Sequence, residues 1–279
     1  MAQANFHTHT LFCDGLNHLE DYVVVAINKE MSAIGFSTHV PIPFINKWNM
    51  PAAKTQDYFA TIQQLQKKYS QQIEIYAGFE MDYLITADKR LIHEYINQAD
   101  YTIGSVHYLY AVKNQKYYTT DGTADDVALT HQEFANGDSK FLVSAYYNEL
   151  LHIIREFKPN IIGHLDVIKK RNYQNCYFDE TAKWYQDLVE QVLEEIALHN
   201  IIVEVNTGGR LRGYIADNYP SAWILKKCLA KNIPIIISSD AHRTEDLDGF
   251  FTETIQQLKN SGFTHQKTLR TGKWIEVAL

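Results

Sequence analysis

A chain of 279 residues, 46% hydrophobic and 21% charged, is long enough for one large core and too ordinary in composition for disorder. Its formal charge of -7, with no basic block, argues against general nucleic-acid or anionic-membrane binding, which draw on clustered Lys and Arg. If the substrate is an anion, bound metal cations would have to reverse the local field.

The N-terminus, MAQANFHTHT, has neither a basic segment nor an apolar one, so no signal peptide is read there. No apolar run approaches a membrane span; the longest, around Ile233 to Ile237, suits a buried strand. The three cysteines, Cys13, Cys176 and Cys228, are too few and too far apart for a disulfide framework, which fits a reducing cytoplasm.

In chain order, short apolar runs end near Phe6, Ser37, Phe79, Val106, Gly163, Val205 and Ser239. Runs such as IEIYAGF, IIVEVN and IPIIISS carry successive apolar and β-branched residues, as strands covered on both faces do. Between them, helical spacing predicts helices over Lys54 to Tyr69, Phe141 to Phe157, Thr181 to Leu198, Pro220 to Ala230 and Glu245 to Lys259. Asp179 stands where an N-cap would precede the third of these. Residues 108–136 break the rhythm: the stretch is long, polar and aromatic, follows a strand directly, and reads as an excursion able to act as a lid. Strand-then-helix units imply right-handed crossovers and a parallel sheet or barrel. Seven units are counted, one short of a regular eightfold barrel. No repeat or linker divides the chain, so residues 1–279 are expected to form one domain.

Half of the twelve histidines fall at the ends of the strand-like runs. His7 and His9 form HTHT, His39 follows GFST, His107 follows TIGSV, His164 follows IIG, and His242 follows IIISSDA with Asp240 two residues earlier. Glu80 ends IYAGF and Asp14 lies just beyond HTHT. In a parallel α/β barrel the C-terminal strand ends converge on one face, so these residues would share a pocket. In an extended His-x-His both side chains share a face, because the strand period is two. Imidazoles with carboxylates suit zinc, manganese or iron, and nine such residues exceed the needs of one ion but suit three. Such centres hydrolyse phosphate esters: one ion lowers the pKa of its water to about 7 while others clamp phosphoryl oxygens. His18, His93, His131, His152, His199 and His265 lie in helical or loop contexts and are read as ordinary surface residues.

These residues resemble the polymerase-and-histidinol-phosphatase (PHP) superfamily, and within it the histidinol-phosphate phosphatases. The similar motifs are HTHT, STH at 37–39, GSVH at 104–107 and SSDAH at 238–242, with CDG at 13–15, GFEMDY from Gly78 and GHLD at 163–166. The resemblance covers nearly the whole chain and implies a distorted (β/α)7 barrel with its metal site at the C-terminal strand ends. It also implies three divalent ions: one on His7, His9, Glu80 and Asp240, a second on Glu80, His107 and His164, and a third on Asp14, His39 and His242. Glu80 would then bridge two ions. A phosphate clamp of two cations is implied as well: Lys169, where the family has Arg, and Arg212, with Arg210 in reserve. Lys170 and Arg171 are read as solvated cations.

The activity implied is hydrolysis of a small phosphate monoester, L-histidinol phosphate, in histidine biosynthesis, with Arg212 and Lys169 neutralising developing charge and Asp14 a candidate acid. Two alternatives stand beside it: a related phosphoesterase acting on nucleotides or other small monoesters, and a non-catalytic barrel that binds metal or a partner. No nucleic-acid or membrane partner is expected, and the sequence does not define an oligomeric state.

Overall fold

The computed structural model describes residues 3–44 and 46–279. Seven parallel strands run in chain order around the sheet: β1 (Ala4–Asn5), β2 (Ala33–His39), β3 (Glu74–Asp82), β4 (Tyr101–Ser105), then, past the excursion, β7 (Ile161–Ile162), β8 (Ile202–Asn206) and β9 (Ile235–Ser238). A parallel bridge between Thr8 and Ala241 brings the first strand's continuation against the last, so the sheet nearly closes into a barrel. Two backbone hydrogen bonds hold this seam: His9 N–H donates to the Ala241 carbonyl (2.8 Å), and Ala241 N–H donates to that of His7 (3.0 Å). The resulting seven-stranded α/β barrel agrees with the count of seven units.

Every residue of β2, β4, β8 and β9 is buried, which explains their unbroken apolar runs. Between the strands run α1 (Leu19–Asn28), α2 (Thr55–Lys68), α3 (Lys89–Gln98), α4 (Ala124–Leu129), α5 (Ser139–Phe157), α6 (Lys183–His199), α7 (Gly208–Leu211), α8 (Ala222–Ala230) and α9 (Phe251–Asn260). Their apolar stripes face the sheet; α5 alone buries Leu142, Val143, Tyr146, Tyr147, Leu150, Ile153 and Ile154.

A smaller core gathers residues at the N-terminal ends of the strands, Phe6, Ala33, Tyr101, Ile103, Ile161, Ile202 and Ile236. Tyr101 lies across this end and donates to the Phe6 carbonyl at 2.6 Å. Gly35 and Gly78 make room for it: a Cβ at either would fall within 2.5 Å of the tyrosine. A terminal hairpin, β10 (His265–Arg270) and β11 (Lys273–Ala278), adds Leu269 and Trp274 to this core and plugs the N-terminal end. The opposite end stays free to carry polar groups.

The excursion contains a hairpin, β5 (Tyr108–Ala111) and β6 (Lys116–Thr119), then α4 and a single π-helical turn over Thr130–Phe134. Three expectations are corrected. Asp179 does not cap α6; its carboxylate accepts from Thr181 N–H and Oγ1–H at 2.8 Å in a local turn, and Ala182 is the N-cap residue. The helix expected from Pro220 starts at Ala222. The one expected from Glu245 starts at Phe251, after a short 3₁₀ turn over Thr244–Asp246. α1, α3, α4, α7 and the hairpins β5–β6 and β10–β11 are additional to the elements expected from the sequence.

Candidate metal centre

The strand ends bring all nine expected residues together at the C-terminal end of the barrel. Glu80, at 2% exposure, is at the middle. Its Oε2 lies 3.2 Å from His7 Nε2, 3.4 Å from His9 Nε2 and 3.2 Å from His39 Nδ1. Its Oε1 lies 2.9 Å from His164 Nε2 and 3.5 Å from His107 Nε2, and accepts from Ser105 Oγ–H at 2.6 Å. Asp240 Oδ1 approaches His9 Nε2 (3.2 Å), His242 Nδ1 (3.5 Å) and His7 Nε2 (3.6 Å). Asp14 faces His242 (3.3 Å), His9 (3.7 Å) and His39 (3.9 Å).

Four overlapping groups have mutually close donor atoms: His9, Asp14, His39 and His242; His7, His9 and Asp240; His7, Glu80 and His164; His39, Glu80 and His107. The donor set fits divalent metal ions. A second observation agrees: His7 Nε2, His9 Nε2, His39 Nδ1 and Asp14 Oδ1 are buried without a hydrogen-bond partner among the described residues, and all four are turned inward to this cluster. Two residues here adopt positive φ, Asp240 (51°) and His164 (22°), an unfavourable backbone region held by the surrounding sheet.

The electrostatics follow from crowding. Burial disfavours imidazolium at His7, yet Glu204, Glu80 and Asp240 outweigh it and push its pKa well up. Burial again opposes charge at His107, and Asp82 and Glu80 reverse this, raising it to about 10. At His9 burial and the neighbouring His242 and His39 act together and lower it to about 3. Burial works against the carboxylates of Glu80 and Asp240, but the histidines around Glu80, and Arg212 with the histidines around Asp240, hold both well below the usual range.

Carboxylates not singled out from the sequence orient the histidines. Glu204 Oε1 lies 2.6 Å from His7 Nδ1, while its Oε2 accepts from His164 N–H (2.8 Å) and Asn206 Nδ2–H (2.9 Å). Asp82 lies 3.1 Å from His107 Nδ1 and also accepts from the His107 N–H. Such partners set the tautomer and orientation of a ligating imidazole. The signal was a lone carboxylate in the apolar run IIVEVN, and one at two-residue spacing from Glu80.

A cavity of about 400 Å³ opens over this cluster. Leu16, Trp48, Thr119, Asp121, Lys170, Arg171, Arg212, Tyr214 and Tyr219 form its walls with the metal-type residues, so residues 119–123 of the excursion contribute one side. Arg212 lies in the lining and donates to Asp240, through Nη1 to the carbonyl (2.8 Å) and Nη2 to Oδ2 (2.7 Å). Arg210 does not line it; its guanidinium stacks on Phe250 at 3.9 Å. Lys169 is likewise outside the lining, because Asp166 (2.7 Å) and Ser221 (2.5 Å) hold its buried ammonium. The expectation for its neighbours is corrected too. Lys170 is not solvated but pairs with Asp121 at 2.9 Å in the cavity wall, and Arg171 donates to the Gly122 carbonyl at 3.0 Å; both lie over Tyr214. His93, His131, His152, His199 and His265 are all outside the cavity lining, as is His18.

Fold and site together define a metal-binding α/β barrel with a polynuclear ligand set. The PHP domain profile matches residues 5–208, and the chain belongs to that family. It is 26% identical to a histidinol-phosphatase of Bacillus subtilis over 263 residues, covering 88% of this chain and 96% of the relative. It is 24% identical to a Deinococcus radiodurans protein named probable histidinol-phosphatase, covering 94% and 96%. Among solved structures, histidinol phosphate phosphatase from Lactococcus lactis, complexed with zinc, L-histidinol and phosphate, superposes with a TM-score of 0.72 at 21% identity, covering 98% of each chain. A Listeria monocytogenes chain carrying the histidinol phosphatase name superposes at 0.79 with 23% identity, covering 90% and 99%. These two likenesses concern the fold. No helix among the described residues is long and apolar enough to cross a membrane.

Proposed function

We propose that the chain is a phosphoric monoester hydrolase that converts L-histidinol phosphate to L-histidinol and phosphate. The observation that carries this reading is the nine-residue cluster of six histidines, two aspartates and Glu80 beneath a cavity that also holds Arg212 and Lys170. The names of the two curated relatives, which match over most of their length, support the substrate.

His7, His9, Asp14, His39, Glu80, His107, His164, Asp240 and His242 would hold three divalent ions, zinc, manganese or iron, with Glu80 shared between two. Bound there, such ions supply Lewis-acid charge for the phosphoryl oxygens and a water of lowered pKa. Glu204 and Asp82 hold His7 and His107 in the ligating orientation. Arg212, whose Nη1 and Nη2 each donate one N–H to Asp240, would turn its remaining N–H groups to the phosphoryl group and neutralise charge as it develops. Lys170, rather than Lys169, is the second cation, because it is the one in the wall. Asp14 does not suit the part of acid for the leaving oxygen: burial opposes its ionisation, but His242, His39 and His9 outweigh it and hold its carboxyl well below the usual carboxylate range, as a metal ligand requires. Asp121 and the aromatic wall of Trp48 and Tyr214 face the organic portion. Its three free cysteines fit a cytoplasmic setting.

A substrate panel with phosphate release as readout tests the reading. Histidinol phosphate should exceed nucleotides and sugar phosphates in kcat/KM by orders of magnitude, because a polar site penalises analogues that leave its groups unpaired. Similar efficiency across unrelated monoesters would point instead to a general phosphatase.

A further inference from the structure

Tyr219 presents a buried hydroxyl that nothing among the described residues satisfies. The residue is 2% exposed, and its Oη has no hydrogen-bond partner among the described residues. Most other buried tyrosines of the barrel are paired: Tyr58 donates to the Gly78 carbonyl, Tyr101 to that of Phe6, Tyr146 to that of Leu165, and Tyr147 to Tyr185. A buried phenol usually finds a partner, so an unpaired one beside a cavity calls for a ligand.

The ring cannot turn away easily. Its backbone is bonded in both directions to Asn206 at the end of β8 (2.7 and 3.0 Å). Gly209 packs against the hydroxyl end: a Cβ there would come within 2.4 Å of Cε2 and 2.9 Å of Cζ. The Lys169 ammonium lies 5.5 Å from the ring centre. Gly209 and Tyr219 both line the cavity, with Arg212 and Asp240. Burial above all keeps this phenol protonated, so it can donate.

We infer that the Tyr219 hydroxyl donates a hydrogen bond to an oxygen of the substrate's phosphoryl group, on the same side of the cavity as Arg212. This rests on the phosphomonoesterase reading. A phosphoryl oxygen is the partner favoured by the adjoining guanidinium, which draws an anion to that wall.

The test is Tyr219→Phe in the metal-loaded enzyme, with three readouts: steady-state kinetics on histidinol phosphate, competitive inhibition by inorganic phosphate, and the thermal midpoint. A lost hydrogen bond to a charged group predicts a fall in kcat/KM of about 10- to 100-fold, with phosphate inhibition weakened in parallel. The midpoint should hold or rise, since the substitution removes an unpaired buried hydroxyl. Unchanged kinetics and unchanged phosphate inhibition overturn the inference. So does lost activity accompanied by a lower midpoint and reduced metal content, which would mark the hydroxyl as structural. If the wild type does not turn over histidinol phosphate, the substrate assignment fails by itself. Calorimetric binding of inorganic phosphate to the two proteins then still decides for or against Tyr219.

Discussion

Glu204 Oε1 lies 2.6 Å from Nδ1 of His7, on the opposite side of the imidazole from Glu80. The ring is therefore fixed with Nε2 turned to the centre of the cluster, the arrangement a ligating histidine requires. Glu204→Gln keeps the shape and removes the charge. It should weaken metal retention by about 10- to 100-fold, read by titration against a competing chelator. Wild-type metal affinity in this variant would separate Glu204 from the centre.

Metal content is the second expectation. Protein purified without chelator should carry two or three transition-metal ions per chain by elemental analysis, since nine ligands exceed the needs of one. Stripping them should lower the thermal midpoint markedly, because a ligand at 1,000 times its Kd stabilises by about 4 kcal/mol. Glu80→Gln should lose more metal and more rate than any single histidine variant. One ion or fewer in fully active protein would refute the polynuclear centre.

Arg212→Ala should lower kcat/KM by about 10- to 100-fold, the loss of hydrogen bonds to a charged group. Elemental analysis should find its metal content retained, although Arg212 also pairs with Asp240. Arg212→Lys should recover part of the rate, because charge returns without the fork. Arg210→Ala should leave the rate near wild type and lower the midpoint slightly, since that guanidinium packs on Phe250. Greater damage from Arg210→Ala would move the clamp by two residues.

The neighbouring lysines should separate by kind of defect. Lys169→Ala leaves buried Asp166 uncompensated and should destabilise by about 3–5 kcal/mol. Lys170→Ala should be milder in stability but raise KM for the phosphorylated substrate. Denaturant titration beside steady-state kinetics distinguishes them, and the reverse pattern would return the clamp to Lys169.

Glu149 on α5 supplies a pH test away from the cavity. Burial, and then Glu156, push its carboxyl from 4.5 up to about 7, and its Oε2 is buried without a partner among the described residues. With the folded pKa above the unfolded one, the carboxyl imposes no penalty below about pH 4.5, where both states are protonated. Stability is lost as pH rises from there through about 7, and the penalty is constant above. Allowing for solvent screening, Glu149→Gln should gain about 1–2 kcal/mol at pH 8 and almost nothing at pH 4.5. Melting curves of both proteins across this range check it; an equal gain at both ends would exclude titration as the cause.

The metal-type residues were legible because strand ends are written plainly: a β-branched run stops, and a histidine or carboxylate follows. Which lysine faces the cavity was not, since Val167–Arg171 forms a 3₁₀ turn whose pitch decides what Lys169 and Lys170 meet. Glu204 and Asp82 were missed because one carboxylate in a strand resembles an ordinary outward residue; only burial on both faces gives it meaning. The β10–β11 hairpin hid behind its polar edge and a Thr271-Gly272 turn, both residues at positive φ, in place of the more familiar Asn-Gly.

The seam of the barrel runs through the cluster itself: the peptides of His7 and His9 are those that bond to Ala241. A ribosome must therefore deliver nearly the whole chain before the first two histidines meet Asp240 and His242. Contacts this distant in sequence form late and slowly. The emerging polypeptide would hold only scattered histidines until its last strand is in place, so assembly of the centre should coincide with barrel closure. Hydrolytic competence would then appear as the final event of folding, after the helices and the early strands have already formed.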